Sequence, residues 1–301
     1  DINLEQSVSC WNSARLQRGK RLTQSYKGDQ IVSWDFPPAS LPLPLIIAHR
    51  GDSSNFPENT IPAFENALAL GADGVELDVQ LTKDQQLVVF HDHLLGRTTP
   101  GSKPVNHYTK NEVRELDVGA WFSLKFKGER APTLDEVFEC MPNDFLINVE
   151  MKTIMKGMRV IAYKVAEVVR RHGRWNSTLV ASFNPISLWK LRKIDPRILR
   201  GYIWSRRHPF PIRSRCFSTL VKANWYDPAH DSYNLNLHRK FLAQGARILA
   251  WDTDFNQDLN LMAAARVDGI VTDSLQDMLD KKKIFPNVSN LQQPLSAPCP
   301  R

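Results

Sequence analysis

Residues 74 to 92 read Gly74-Val75-Glu76-Leu77-Asp78-Val79-Gln80-Leu81-Thr82-Lys83-Asp84-Gln85-Gln86-Leu87-Val88-Val89-Phe90-His91-Asp92, two apolar runs divided by a short polar connector. Gly74 to Leu81 has the composition of a strand. The connector Lys83-Asp84-Gln85-Gln86 can close an antiparallel hairpin, but a parallel crossover needs about a dozen residues or more. Leu87 to Asp92 is therefore read as a hairpin return. Working outward, the chain offers further candidate strands at Leu45 to Ala48, Phe145 to Glu150, Thr178 to Ser182, Ile198 to Ile203, Thr219 to Ala223, Arg247 to Trp251 and Gly269 to Thr272. With the return set aside, eight strands remain for a parallel sheet, the number that closes a (β/α) barrel.

The segments between strands carry helix signals. Pro62 to Leu70, Ile161 to His172 and Leu237 to Gln244 are each followed by glycine (Gly71, Gly173, Gly245), which adopts the left-handed cap conformation without steric penalty. Alternating strands and helices predict one α/β barrel with a small hairpin inserted after the second strand. Residues 1–44, polar and then proline-rich, read as an N-terminal extension, and residues 281–301 as a C-terminal tail.

The chain of 301 residues is 42% hydrophobic and 24% charged, enough to bury a core and unlike a disordered segment. Its net charge of +7 is scattered over clusters such as Arg206-Arg207-His208 and Lys281-Lys282-Lys283, without the single basic stripe of a nucleic-acid binder. A nucleic-acid partner is not expected. Cys10, Cys140, Cys216 and Cys299 are too far apart for a zinc motif and too few for a disulfide scaffold. No apolar run approaches the roughly 18 residues of a membrane span. The expectation is a cytoplasmic protein, with an exported form left open because the chain does not begin with methionine.

Side chains two apart on a strand share a face, so Glu76 and Asp78 converge. Near the C-terminal end of a barrel strand that face lies at the mouth, where such folds build their sites. Two buried carboxylates repel unless protonated or neutralised, and a divalent cation is the natural answer. Asn148-Val149-Glu150-Met151-Lys152 repeats the pattern on the next barrel strand, adding Glu150 as a third oxygen ligand and Lys152 as a phosphate contact. A surface salt-bridge ladder would give the same spacing, but Val75, Leu77, Val79, Ile147 and Val149 argue against exposure. His49-Arg50-Gly51 ends the first strand and His91-Asp92 ends the hairpin. His49 and His91 are candidates for a general acid and base, and Arg50 offers a bidentate fork for phosphate oxygens. His93, His107, His172, His208, His230 and His238 read as surface residues. A phosphate-binding glycine loop, a G-x-S-x-G elbow and an H-E-x-x-H motif are all absent.

In order and spacing, His49-Arg50-Gly51, Pro57-Glu58-Asn59-Thr60, Gly71-Ala72-Asp73-Gly74, Glu76-Leu77-Asp78-Val79, Thr82-Lys83-Asp84, His91-Asp92, Arg97-Thr98-Thr99, Pro132-Thr133-Leu134, Glu150-Met151-Lys152 and Thr272-Asp273 resemble the glycerophosphodiester phosphodiesterases. The resemblance runs from about residue 45 to 280. It implies a TIM barrel catalytic domain over residues 45–280 that splits a glycerophosphodiester, a small-molecule substrate, into glycerol 3-phosphate and an alcohol. It implies one divalent ion, Mg2+ or Ca2+, on Glu76, Asp78 and Glu150, with His49 and His91 as the catalytic pair. Arg50 and Lys152 match phosphate contacts, Trp251 a tryptophan that lines the pocket, and Glu58 and Asn59 a motif expected to support the site. Where the family commonly has Trp-Thr-Val-Asn, this chain reads Trp251-Asp252-Thr253-Asp254. Two alternatives stand beside this reading. A lysophospholipase D would need an apolar trough, for which Phe122, Phe126 and Trp204 to Phe210 are candidates. A non-catalytic anion-binding barrel would use the metal for stability alone.

Overall fold

The computed structural model describes residues 43–153, 157–205, 217–229, 232, 241, 245–251 and 267–284. Nine strands are described: β1 (Leu45–His49), β2 (Gly74–Leu81), β3 (Leu87–Val89), β4 (Leu146–Met151), β5 (Thr178–Ser182), β6 (Leu199–Trp204), β7 (Trp225–Pro228), β8 (Arg247–Trp251) and β9 (Gly269–Thr272). Eight of them pair in parallel in the order β1-β9-β8-β7-β6-β5-β4-β2, and β1–β2 pairing closes the ring. The exception is β3, antiparallel to β2 with Val79 opposite Val89.

The register of β2 sets up the mouth. It meets β1 only over Gly74–Glu76 but meets β4 as far as Val79, so its last residues extend past the end of β1. There β3 takes over the edge that β1 vacates. Thr82 ties the turn, its backbone N–H donating to the Gln86 carbonyl at 3.0 Å and its hydroxyl accepting from the Gln86 N–H at 3.0 Å. His91, two residues beyond β3, is thereby delivered to the mouth, and the Phe90 N–H donates to the Asp78 carbonyl at 2.9 Å.

Alternation along each strand sorts its residues between two cores. Leu45, Ile47, Leu146, Asn148, Leu179, Trp225 and Leu249 line one small internal void and mark the inward parity. The opposite parity, Ile46, Ala48, Val75, Leu77, Val79, Ile147 and Val149, packs outward against Phe64, Ala67, Ile161, Val165 and Leu188. Burial on both faces explains why these strands are nearly continuous apolar runs. The helix Met158–His172 buries Ile161, Ala162, Val165, Ala166, Val168 and Val169 along one stripe. At about 1.5–3 kcal/mol for each fully buried Val or Ile, that stripe outweighs the helix's own propensity terms.

One expected strand is wrong. Thr219 to Ala223 is not extended: Ser218–Val221 forms a helical turn and the strand is Trp225–Pro228. The β-branched Thr219 and Val221 gave a strand signal, yet Trp225 and Tyr226 carry equal β-propensity. Lys222, with φ 46°, reverses the chain between them. The helix expected over Leu237 to Gln244 lies, except for Phe241, outside the described residues, as do residues 1–42 and 285–301. The basic triplet Lys281-Lys282-Lys283 falls in the last turn of the helix Leu275–Ile284, where cations suit the helix dipole, and Lys282 pairs with Asp73 at 2.6 Å. Among the described residues, no helix is long and apolar enough to cross a membrane.

Candidate active site

The inward row of β2 carries Glu76, Asp78 and Gln80, and that of β4 carries Asn148 and Glu150, all buried. Pairing of β2 with β4 sets Asp78 opposite Glu150. Ligand oxygens of Glu76, Asp78 and Glu150 lie within 4.8 Å of one another. Lys152 places its Nζ 3.0 Å from Asp78 Oδ1 and 2.9 Å from Glu150 Oε1. Asn59 holds Asp78 from behind: its Nδ2 donates to Asp78 Oδ2 at 2.8 Å, and its Oδ1 accepts from the Asp78 N–H at 3.2 Å. Asn59 sits at φ 59° and Arg50 at φ 57°. Left-handed conformations suit Asn but cost Arg about 1 kcal/mol, a strain that clusters at functional sites.

Arg50 folds over this cluster. Its backbone N–H donates to Glu76 Oε2 at 3.2 Å, its Nη1 donates to Glu58 Oε1 at 2.9 Å, and its Nε lies 3.5 Å from Asp78 Oδ2. The two histidines flank it, each backed by its own carboxylate. His49 Nδ1 bonds Asp273, and its Nε2 lies 3.9 Å from Glu76 Oε2. His91 Nδ1 bonds Asp92 Oδ1 at 2.7 Å. With Nδ1 engaged, Nε2 is the nitrogen each ring has left for chemistry.

Charge is finely divided here. Burial, reinforced by Asp78, pushes the Glu76 carboxyl up to about 8. Burial also raises Glu150, with Lys152 opposing and Asp78 assisting. Burial works against ionisation of Asp78, but Lys152, His91, Arg50 and the bond from Asn59 outweigh it and hold this carboxyl well below the usual range. Burial likewise opposes a charge on His49, yet Asp273 and Glu76 hold it above its ordinary value. His91 is held below its ordinary value, by burial first and then by Lys152 and Arg50, against the pull of Asp78. Three converging carboxylates, two of them driven toward protonation by burial and then by their mutual repulsion, fit a hard divalent cation whose charge offsets both. Asp78 Oδ1 is buried and faces only the Lys152 ammonium at 3.0 Å, so a cation at the trio would compete with Lys152 for it.

Several contributing residues were not assigned a role from the sequence. Gln80 Nε2 faces the carbonyls of Phe90, His91 and Asp92 at 2.9, 3.0 and 2.7 Å and so fixes the turn that carries His91. The inward spacing of Glu76, Asp78 and Gln80 was the available signal. Arg97 bridges both sides: Nη1 and Nη2 reach Glu58 at 2.7 Å each, and Nη2 reaches Asp92 at 3.1 Å. Asp227 of β7 is buried with neither carboxylate oxygen hydrogen-bonded, and burial together with Glu150 raises its pKa well above the ordinary value. No local pattern marks it. Trp251, half-buried at the end of β8, donates from Nε1 to the Asp227 carbonyl at 2.8 Å and meets the Phe183 ring edge-on at 5.6 Å.

His93, expected at the surface, is exposed but also lines a cavity of about 630 Å³ beside the carboxylates, with Gln80, His91, Glu150, Met151, Lys152 and Phe183. Of the residues offered for an apolar trough, Phe122, Phe126, Trp204 and Ser205 are described. Phe126 is buried, with its ring centroid 5.8 Å from Phe122 of its own loop and 5.3 Å from Phe56 of the loop after β1. Trp204 is buried, and residues 206–210 lie outside the described residues.

Residues 49–277 match the model of the glycerophosphoryl diester phosphodiesterase family. A glycerophosphodiester phosphodiesterase of Caldanaerobacter subterraneus subsp. tengcongensis is 38% identical over 237 residues, covering 78% of this chain and 96% of that relative. One of Bacillus altitudinis is 42% identical over 155 residues, covering 51% and 63%. Among solved structures, an Oleispira antarctica phosphodiesterase in complex with the product sn-glycerol-3-phosphate superposes with a TM-score of 0.73 at 28% identity, covering 80% of this chain and 97% of that one.

Proposed function

Because the chain belongs to the glycerophosphoryl diester phosphodiesterase family, and is thus a phosphoric diester hydrolase, we propose that it cleaves glycerophosphodiesters to glycerol 3-phosphate and an alcohol at the mouth formed by β1, β2 and β4. The observation that carries this reading is the buried trio Glu76, Asp78 and Glu150 flanked by His49 and His91, each histidine backed by a carboxylate. A divalent ion, Mg2+ or Ca2+, held by the trio supplies charge neutralisation at the phosphate. Lys152 and Arg50 contribute cationic hydrogen bonds to its non-bridging oxygens, where negative charge grows as the ester breaks. One histidine takes a proton at Nε2 from the attacking oxygen, either a water or the glycerol hydroxyl next to the ester. The other gives a proton from Nε2 to the leaving alkoxide. Attack by the hydroxyl passes through a cyclic phosphate that is then hydrolysed. Trp251, at the end of β8 and braced by Phe183 and by the Asp227 carbonyl, is a side chain assigned in this reading to contact the substrate.

General acid and base groups each contribute about 10²–10⁴ in rate, so His49→Ala and His91→Ala are each expected to lose at least about 100-fold in kcat. Both rings are partly exposed, and thermal unfolding should change little. Full activity in either variant refutes the pair.

A further inference from the structure

The inward residues of such a barrel stack in layers, each drawn from alternate strands. The strand registers put Glu76, Ala181, Asp227 and Val271 in one layer, directly beneath His49, Glu150, Ile203 and Trp251. Asp227 therefore sits at the depth of the carboxylate trio. Its strand, β7, is four places from β2 in the parallel ring, so Asp227 and Glu76 stand on opposite walls. Ala181 and Val271, the other members of the layer, are too short to fill the axis between the two acids. Gly201, one layer down, leaves room for the Asp227 carboxylate: a Cβ there would stand 2.5 Å from Asp227 Oδ2 and 3.1 Å from the Ala181 Cβ. Asp227 thus leans from β7 across β6 toward β5, the direction of Glu150 on β4. Trp251 Nε1 fixes the backbone here, donating to the Asp227 carbonyl at 2.8 Å. The residue is only 2% exposed, and neither carboxylate oxygen has a hydrogen-bond partner. Asn148, in the layer of Gly201 and on the strand of Glu150, likewise keeps a buried Oδ1 with no donor. A buried carboxylate without a partner is unfavourable until something neutralises it, and the charge of Glu150 adds to that cost.

We propose that Asp227 is a fourth carboxylate serving the divalent cation of the trio, holding the hydrated ion from the wall of the barrel opposite Glu76. This rests on the metal-dependent reading above and extends the ion's support from β2 and β4 to β7. Asp227 lies outside the group whose ligand oxygens approach within 4.8 Å of one another, so it acts through a water of the ion rather than as a direct ligand. Mg2+ and Ca2+ take roughly six to eight oxygens, and three carboxylates leave positions for water. Such a water finds in Asp227 two acceptor oxygens that no donor of the protein occupies. The assignment also accounts for Gly201, since a larger residue there would displace the Asp227 carboxylate.

The test titrates Mg2+ and, separately, Ca2+ into the full chain by calorimetry, comparing the parent with Asp227→Asn and with Asp78→Asn. Partners that support a metal ion without ligating it typically contribute about 10- to 100-fold in affinity, and Asp227→Asn should bind the ion more weakly by that factor. Asp78→Asn, which removes a ligand, should lose binding altogether. Thermal melts supply a second readout. In chelator Asp227→Asn should melt as the parent does, because an amide of the same shape replaces a carboxyl with no protein partner. With the ion added, the parent should gain more in melting temperature than the variant, since tighter binding to the folded state stabilises it further. An ion affinity unchanged in Asp227→Asn overturns the proposal alone. So does a variant that melts well below the parent in chelator, which would show the carboxylate to be held by the protein. Absence of ion binding in the parent overturns the proposal together with the metal-dependent reading. Weakened binding in Asp227→Asn, beside a parent that turns over no glycerophosphodiester, supports the proposal and overturns the phosphodiesterase reading.

Discussion

Arg97→Gln isolates the link between the two histidine-bearing halves of the site. Arg97 grips Glu58 with both terminal nitrogens at 2.7 Å and reaches Asp92 at 3.1 Å, and Asp92 in turn holds His91 Nδ1 at 2.7 Å. On the other side Glu58 holds Arg50 at 2.9 Å. The side chain is 45% exposed, so its ion pairs are screened and the loss of folding stability should be only about 1 kcal/mol. Its effect on geometry is larger. Without Arg97, Asp92 can rotate away from His91, and Glu58 keeps Arg50 as its partner but loses its fixed orientation. Removing such a supporting partner typically costs about 10- to 100-fold, so kcat/KM should fall by that factor, or about 1.4–2.7 kcal/mol of transition-state stabilisation. Arg97→Lys restores the charge but not the fork, and should remain about tenfold impaired. The assay is steady-state hydrolysis of a glycerophosphodiester in parallel with urea unfolding. Activity within twofold of the parent in Arg97→Gln would refute the linkage, as would an activity loss explained by unfolding alone.

Gln80→Leu should leave the carbonyls of residues 90–92 without their donor, costing about 1–3 kcal/mol of stability and lowering kcat more than it changes KM, measured by denaturant melts and kinetics. Gly201→Ala places a Cβ 2.5 Å from Asp227 Oδ2 and 3.1 Å from the Ala181 Cβ, an overpacking worth about 1–3 kcal/mol that a lowered melting temperature would reveal. Buried Asp195 accepts from Arg197 at 2.7 and 2.8 Å and from Arg170 at 2.8 Å. Burial alone would raise its carboxyl, but these bonds hold it well below the usual range. Its stabilisation is therefore complete above the unfolded value of about 3.9 and is lost as the pH falls toward the lower folded value. Unfolding free energy measured from pH 5 down to 2 should fall more steeply in the parent than in Asp195→Asn, and equal slopes would contradict the pairing.

Much of the barrel was legible because its strands are buried on both faces and stand out as short apolar runs. The connector at Lys83 to Gln86 also forbids a ninth parallel strand. The exception, Thr219 to Ala223, fell where β-branched and aromatic residues compete within a few positions and local propensity does not choose. Glu76, Asp78 and Glu150 were legible for a geometric reason: carboxylates at alternate positions of an apolar strand face one way, and the structure brings the three together. His49 and His91 stood out because each follows a short apolar run, and the structure places His49 at the end of β1 and His91 two residues beyond β3. The distant supports of the site were harder. Asp273 lies 224 residues from His49, and Arg97 lies 39 from Glu58, so their bonds depend on ring closure and loop folding that no short window contains. The cavity beside the carboxylates was hardest, because it is assembled from β4, the start of the helix Pro185–Ile194 and Phe217, which lie far apart in the chain.

In the proposed reaction Glu76, Asp78 and Glu150 hold a divalent ion that the hydrolysis requires. Release of glycerol 3-phosphate from glycerophosphoethanolamine, followed in chelator and then after return of Mg2+ or Ca2+, tests it most directly, with calorimetric titration of the ion into the parent and Asp78→Asn alongside. Turnover should be lost in chelator and restored by one of the ions, and ion binding should be abolished in Asp78→Asn. Turnover that persists in chelator, or ion binding unchanged in Asp78→Asn, would contradict it.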